Sequence, residues 1–160
     1  MKIEILEVNH KTLAQLATVP SRFLVRSKLV PRLAEKGLGG IALREEGVSP
    51  FYVKDYDVLD GEGPSRRLRR HDVSNWRLIL AREGKVLVGG AVVVAKSPGL
   101  HMLQGREDLA MVWDIRVRPG SKRKGVGTRL FREAASWARA KDCARMAVET
   151  QNINVPACRF

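Results

Sequence analysis

Cysteine, histidine, aromatic and acidic residues are all sparse in this 160-residue chain, and each shortage removes a class of function. The two cysteines, Cys143 and Cys158, lack metal-ligand spacing; with no sign of export they read as free, buried thiols rather than a disulfide. His10, His71 and His101 have no ligand spacing either, so they read as surface or loop residues and no metal is expected. No apolar run approaches the roughly 20 residues of a membrane span. Met1 to Glu7 mixes apolar and acidic residues, which a secretory leader does not. These absences point to a cytoplasmic protein with no membrane partner.

Acidic residues number 17 against 29 Lys and Arg, a net charge of +12. Such an excess attracts polyanions, whether nucleic acid or a phosphate-rich cofactor, although the basic residues are scattered and a solvated surface accounts for most of them. With 44% hydrophobic and 29% charged residues the composition is that of an ordinary globular protein. The length suits one domain, residues 1–160, burying about two-thirds of the surface of its unfolded form.

Hydrophobic periodicity supplies the element order. Ile3 and Ile5 suggest a first strand, and Thr12 a cap for a short helix through Leu13 and Leu16, stopped by Val19-Pro20-Ser21. Phe23 to Leu33 is compatible with a second helix broken near Pro31 and ended by Gly37 to Gly40; Ile41 to Leu43 follows as a short strand. Gly47 to Arg70 loses periodicity and reads as a long loop, acidic from Asp55 to Glu62 and basic from Arg66 to Arg70. Trp76 to Ala95 reads as a hairpin turning at Glu83-Gly84-Lys85. Leu109 to Val117 is a strand in which Met111, Trp113, Ile115 and Val117 alternate with Val112, Asp114 and Arg116. A helix runs from Gly125 to Lys141, then a strand from Met146 to Glu149, and a further helix opens at Asn154-Val155-Pro156. The aromatic side chains Trp76, Trp113 and Trp137 fall at core positions.

The chemically informative unit is the strand to Val117, the basic loop Arg118 to Lys124 and the helix opening at Gly125. A helix start offers unpaired N–H groups and the positive end of a dipole, which together suit an anion. Gly125 and Gly127 let a bulky phosphate approach the backbone, and Lys122, Arg123 and Lys124 add charge. A Walker loop is excluded because Val126 follows Gly125 where Lys is needed, and a dinucleotide fingerprint because position 130 is Leu130. A tight turn with exposed lysines is the plain alternative.

Asp114-Ile115-Arg116-Val117-Arg118-Pro119 followed by Lys122-x-x-Gly125-x-Gly127 resembles motif A of the GNAT superfamily of N-acetyltransferases. Glu149 to Phe160, with its Asn-containing loop, resembles motif B of the same superfamily. The resemblance covers residues 76 to 160, and together with Val48 to Tyr56 it looks most like the streptothricin acetyltransferase branch. It implies an α+β fold in three layers, α/β/α. Its central sheet would be mixed but mostly antiparallel, with a V-shaped splay between the fourth and fifth strands. The strands that normally close the sheet would be missing from the C-terminal part. It also implies acetyl-CoA as cofactor, lying in that wedge against Ile115, Arg116 and Val117. The cofactor pyrophosphate would rest on the amides of Arg123, Lys124, Gly125, Val126, Gly127 and Thr128, beside Lys122, and Asn154 would help to hold its arm.

The implied reaction is direct attack of a neutral amine on a thioester within a ternary complex, with a backbone amide near Val117 for the oxyanion. Asp114 and Glu149 are the candidate bases, acting through water. Asp114 pairing with a nearby Arg, and Glu149 orienting a substrate ammonium, are the competing readings. The family's usual acid, a Tyr after motif B, lies beyond Phe160. Tyr52, Asp55, Asp57 and Tyr56 are candidates for the acceptor pocket, since carboxylates suit a cationic amine. The expected partner is a small-molecule amine, alternatively a protein N-terminus or lysine. A basic nucleic-acid-binding module without catalysis is a further alternative, which the charge of +12 mildly supports, and it is not the favoured reading. An open sheet edge would promote a homodimer.

Overall fold

A computed structural model describes residues 1–58 and 71–160. In chain order the elements are β1 (Lys2–Glu7), α1 (His10–Ala17), β2 (Phe23–Leu33), β3 (Ile41–Lys54), β4 (Trp76–Glu83), β5 (Val86–Ala95), β6 (Leu109–Val117), α2 (Val126–Ala140), β7 (Arg145–Val148) and α3 (Val155–Cys158). They fall into two compact units: Met1–Ser21 with Tyr56–Glu149, and Arg22–Asp55 with Thr150–Phe160.

The first unit is a five-stranded sheet in the order β1-β4-β5-β6-β7. Every pair is antiparallel except β6 with β7, which are parallel. Two apolar clusters cover its faces. On one, Leu13 and Leu16 of α1 pack with Trp76, Leu78, Leu80, Val92 and Val94. On the other, Val126, Leu130, Ala134 and Ala138, each one turn after the last along α2, pack with Ile79, Ala91, Val93 and Val112. Three layers result, as the sequence resemblance implied. Covered on both faces, β5 is an unbroken apolar run rather than an alternating one. Gly89 and Gly90 within it have no room for a side chain. A Cβ on Gly89 would lie 2.7 Å from the Arg116 carbonyl oxygen, and one on Gly90 would lie 2.7 Å from Leu16 Cδ1.

The helix α1 is capped by Asn9, whose side chain accepts from the Thr12 N–H at 3.0 Å while the Thr12 hydroxyl accepts from the Asn9 N–H at 2.9 Å. The cap is therefore Asn9, with Thr12 closing the box, rather than Thr12 alone. In the second unit β2 and β3 form an antiparallel ribbon. Residues 23–33 are thus a strand, not a broken helix, and β3 runs on to Lys54 through what periodicity suggested was loop. The physical reason is that ribbon residues such as Leu33, Ile41, Leu43, Phe51 and Val53 are exposed, so no buried face imposes a two-residue period. Within this unit Asn152 pairs with Leu29 in both directions: its carbonyl accepts from the Leu29 N–H and its side-chain amide donates to the Leu29 carbonyl, each at 2.9 Å. The expected charged stretch from Asp60 to Arg70 lies outside the described residues. Cys143 is buried as expected; Cys158 is exposed, because it sits on the outer side of the one-turn α3. No helix among the described residues is long and apolar enough to cross a membrane.

Candidate active site

The decisive feature of β6 is a bulge. Val92 pairs with Asp114 and Val93 with Val112, so Trp113 is the residue inserted between two consecutive register positions. The strict alternation read from the sequence is broken there. Met111 and Trp113 pack on the α1 face, whereas Ile115 and Val117 pack on the α2 face with Val112. On the other side of β6, pairing with β7 stops at the same point: Leu109 to Val112 oppose Arg145 to Val148, and no described residue pairs with that edge beyond them. The fourth and fifth strands of the sheet therefore splay from Trp113 onward.

The splay leaves one edge of β6 open, and the hydrogen-bond phase says which residues present it. Arg118 N–H donates to the Val88 carbonyl at 2.8 Å, across the pair Val117 and Gly89. In an antiparallel ladder that arrangement makes Val117, and two residues earlier Ile115, members of non-hydrogen-bonded pairs. Their N–H and C=O groups point away from β5, into the gap left by β7. Among the described residues these groups have no backbone partner.

The strand leads directly into a second open feature. A short 3-10 turn at Pro119–Ser121 precedes Lys122, Arg123 takes a φ of 63°, and Gly125, with a φ of 79°, is the N-cap of α2. No side chain caps this helix, and the N–H groups of Val126, Gly127 and Thr128 have no acceptor among the described residues. A Cβ on Gly125 would meet nothing within 4 Å, so glycine is needed there for its left-handed backbone, not for want of space. Lys122, Arg123 and Lys124 are exposed, and none forms an ion pair among the described residues. Unsatisfied donors and uncompensated cations thus converge where a pyrophosphate would be held.

On the α1 face of β6, Asp114 and Arg116 form a buried polar cluster. The Arg116 side chain, 3% exposed, donates from Nε to both Asp114 oxygens at 3.0 Å and from Nη2 to Asp114 Oδ2 at 2.8 Å. Its Nη1 reaches Asp57 at 2.9 Å and the Val19 carbonyl at 3.3 Å. The Ser21 N–H in turn donates to Asp57 at 3.3 Å. Burial by itself would lower the pKa of the guanidinium, but the hydrogen bond and charge of Asp114, with those of Asp57, outweigh it and the net shift is upward. The carboxylate of Asp114 is therefore committed to an arginine, the competing reading of this residue. Arg116, expected from its strand position to lie with Ile115 and Val117 against the cofactor, turns its side chain to the α1 face and its backbone to β5. Asp57, considered for an acceptor pocket, is part of this cross-link.

The other expected site residues are more dispersed. Glu149 follows β7 directly, is exposed, and has no ion pair among the described residues. Tyr56 and Asp57 belong to the first unit; Tyr52, on β3, with Asp55 and Asn154, belongs to the second. Asn154 is the N-cap of α3, and its carbonyl accepts from Ala157 and Cys158 N–H at 2.9 and 3.0 Å. Sequence reasoning missed an aromatic cluster beside the bulge: His71 stacks on Trp76 with ring centroids 5.8 Å apart and meets Trp113 edge-on at 5.6 Å. Trp76 and Trp113 are themselves 5.0 Å apart. The spacing of single aromatics along different segments carries no signal of such a contact.

The sequence pattern of the Acetyltransferase (GNAT) family matches residues 42–160, well over half of the chain. The chain belongs to the GNAT family. Within that family it is 41% identical over 51 residues to streptothricin acetyltransferase A of Bacillus subtilis (strain 168), a match covering 32% of this chain and 30% of that protein. It is 28% identical over 118 residues to the streptothricin acetyltransferase of Streptomyces lavendulae, covering 74% of this chain and 58% of that one. The matched region thus spans little more than half the length of the longer-matching relative. A Bacillus anthracis str. Ames protein described as a streptothricin acetyltransferase, solved in complex with acetyl coenzyme A, superposes with a TM-score of 0.70. The two are 25% identical, over 99% of this GNAT chain and 81% of that one. The splayed sheet and three-layer packing are therefore those of the family.

Proposed function

We propose that this chain is an acyl-CoA-dependent N-acetyltransferase that moves an acetyl group from acetyl-CoA to a primary amine. The observation that carries the reading is the continuity of two features. The open backbone edge at Ile115 and Val117 leads through a loop of three unpaired cations into the uncapped start of α2. That arrangement fits an extended amide-bearing arm ending in a pyrophosphate: strand-like pairing for the arm, N–H donors and positive charge for the phosphates. The Bacillus anthracis relative, solved with acetyl coenzyme A, supports the same assignment.

Bound acetyl-CoA supplies an activated thioester; the chain's own groups do the rest. The N–H groups of Val126, Gly127 and Thr128, with Lys122, Arg123 and Lys124, anchor the phosphate end. Ile115 and Val117 align the arm, and the free N–H of Val117 faces the gap as a donor for negative charge on an acyl oxygen. Glu149, exposed and uncommitted at the end of β7, is the better placed of the two carboxylates to take a proton from the acceptor ammonium through water. Asp114 holds Arg116 instead. The acceptor we favour is a small-molecule amine, and streptothricin is the first to try because both sequence relatives are described as streptothricin acetyltransferases. Thiol release from acetyl-CoA tests this reading. CoA should appear only when an amine is present, and faster with streptothricin than with lysine-ended peptides. Release no faster than hydrolysis for every amine would overturn it.

A further inference from the structure

Between Trp113 and Val117, β6 has a strand neighbour on one side only among the described residues, yet this is the stretch that must hold its shape for an arm to pair with it. An edge segment next to a bulge ordinarily frays, because half of its backbone groups have nothing to bind. Beside the packing of Ile115 and Val117 on the α2 face, one buried polar side chain opposes that. Arg116 projects from the middle of the open stretch and joins three segments: Asp114 on its own strand, the Val19 carbonyl just past α1, and Asp57. All of its contacts lie on the α1 face, away from the gap, so they leave Ile115 and Val117 free.

We infer that Arg116 is a positioning residue whose cross-link to Asp114, Asp57 and the Val19 carbonyl holds the open edge of β6 ready to receive the acyl-bearing arm of the cofactor. The inference rests on the acetyl-CoA reading above and adds to it a residue that never touches the cofactor. Its physical content is preorganisation: a strand held in its bound conformation does not have to be ordered when the ligand arrives. Lysine cannot replace arginine in this role. A compact ammonium does not form the fork that grips Asp114 with Nε and Nη2 while Nη1 serves Asp57.

The effect should be confined to the arm, because Lys122 to Lys124 and the first N–H groups of α2 share none of these contacts. Calorimetric titration of Arg116→Lys with acetyl-CoA, and with adenosine 3′-phosphate 5′-diphosphate, which carries the pyrophosphate but no arm, separates the two. Acetyl-CoA should bind about tenfold more weakly than to the unsubstituted protein. Affinity for the nucleotide fragment should be unchanged. Asp57→Asn, which leaves the Arg116–Asp114 fork in place, should show a smaller loss in the same direction, and it serves if Arg116→Lys does not fold. Equal weakening of both ligands would mean a general structural role and overturn the inference. So would unchanged acetyl-CoA affinity in both variants. Failure of the unsubstituted protein to bind either ligand would instead overturn the cofactor reading, and this inference with it.

Discussion

Val112 and Val148 are the last cross-strand partners that β6 and β7 share, and the residue after Val112 is the bulged Trp113. The two irregularities reinforce each other. A bulge increases the local twist and turns the strand away from its neighbour, so a parallel partner that follows β6 to Val112 cannot follow it further. The gap that results is where we place the arm of a cofactor.

Gly125 is held at a φ of 79° with open space around it, so substitution by Val costs backbone strain and not crowding. A left-handed conformation costs an ordinary residue about 1–2 kcal/mol, and a β-branched one more. If the loop relaxes to avoid that strain, the N–H groups of α2 lose their aim. Gly125→Val should weaken acetyl-CoA binding by about tenfold or more, read by calorimetry. Unchanged affinity would show that the loop is not the phosphate site.

Replacing Lys122, Arg123 and Lys124 together by Gln should weaken cofactor binding and flatten its dependence on salt. The three cations are exposed and make no ion pair among the described residues, so their attraction for phosphate is screened by ions in the ordinary way. A triple variant with the salt slope of the unsubstituted protein would place the phosphates elsewhere.

The packing of β5 and β6 against α2 depends on Gly89. A methyl there would press to 2.7 Å on the Arg116 carbonyl oxygen, with Val126 Cγ1 at 3.1 Å and Leu130 Cδ1 at 3.2 Å, and backbone cannot step aside as a side-chain tip can. Gly89→Ala should destabilise the fold by about 1–3 kcal/mol. At about 2–4 °C per kcal/mol that is a fall of several degrees in Tm, measurable by calorimetric or circular-dichroism melting.

The two cysteines should differ in reactivity. Burial pushes the Cys143 thiol above its usual pKa, with the charges of Asp108 and Asp142 acting in the same direction against that of Lys96, so at neutral pH it is a thiol and not the reactive thiolate. Cys158 is exposed. Alkylation of the native protein followed by peptide mass mapping should find Cys158 modified first, and Cys143 only as the protein unfolds.

Much of this was legible in the residues. Wherever a face is buried the period shows, as in α2, whose Val126, Leu130, Ala134 and Ala138 predict the helix nearly to the residue, and in β6, whose bounds are those expected. The start of α2 could be read because Gly125, left-handed at the N-cap, sits where the basic loop turns into the helix. The ribbon of β2 and β3 could not be read, because its exposed apolar side chains carry no two-residue signal. The bulge at Trp113 was hidden for a different reason: one inserted residue leaves the composition of a strand unchanged while moving Ile115 and Val117 to the other face. The contacts of Arg116 with Asp57 and Val19 were hidden too, since these residues meet only through the fold.

The central claim is that the open edge of β6 and the start of α2 together hold acetyl-CoA. Isothermal titration of the unsubstituted protein with acetyl-CoA tests it most directly. The account predicts one saturating site with a dissociation constant in the micromolar range typical of enzyme–substrate pairs. No heat of binding at tens of micromolar protein and cofactor would contradict it.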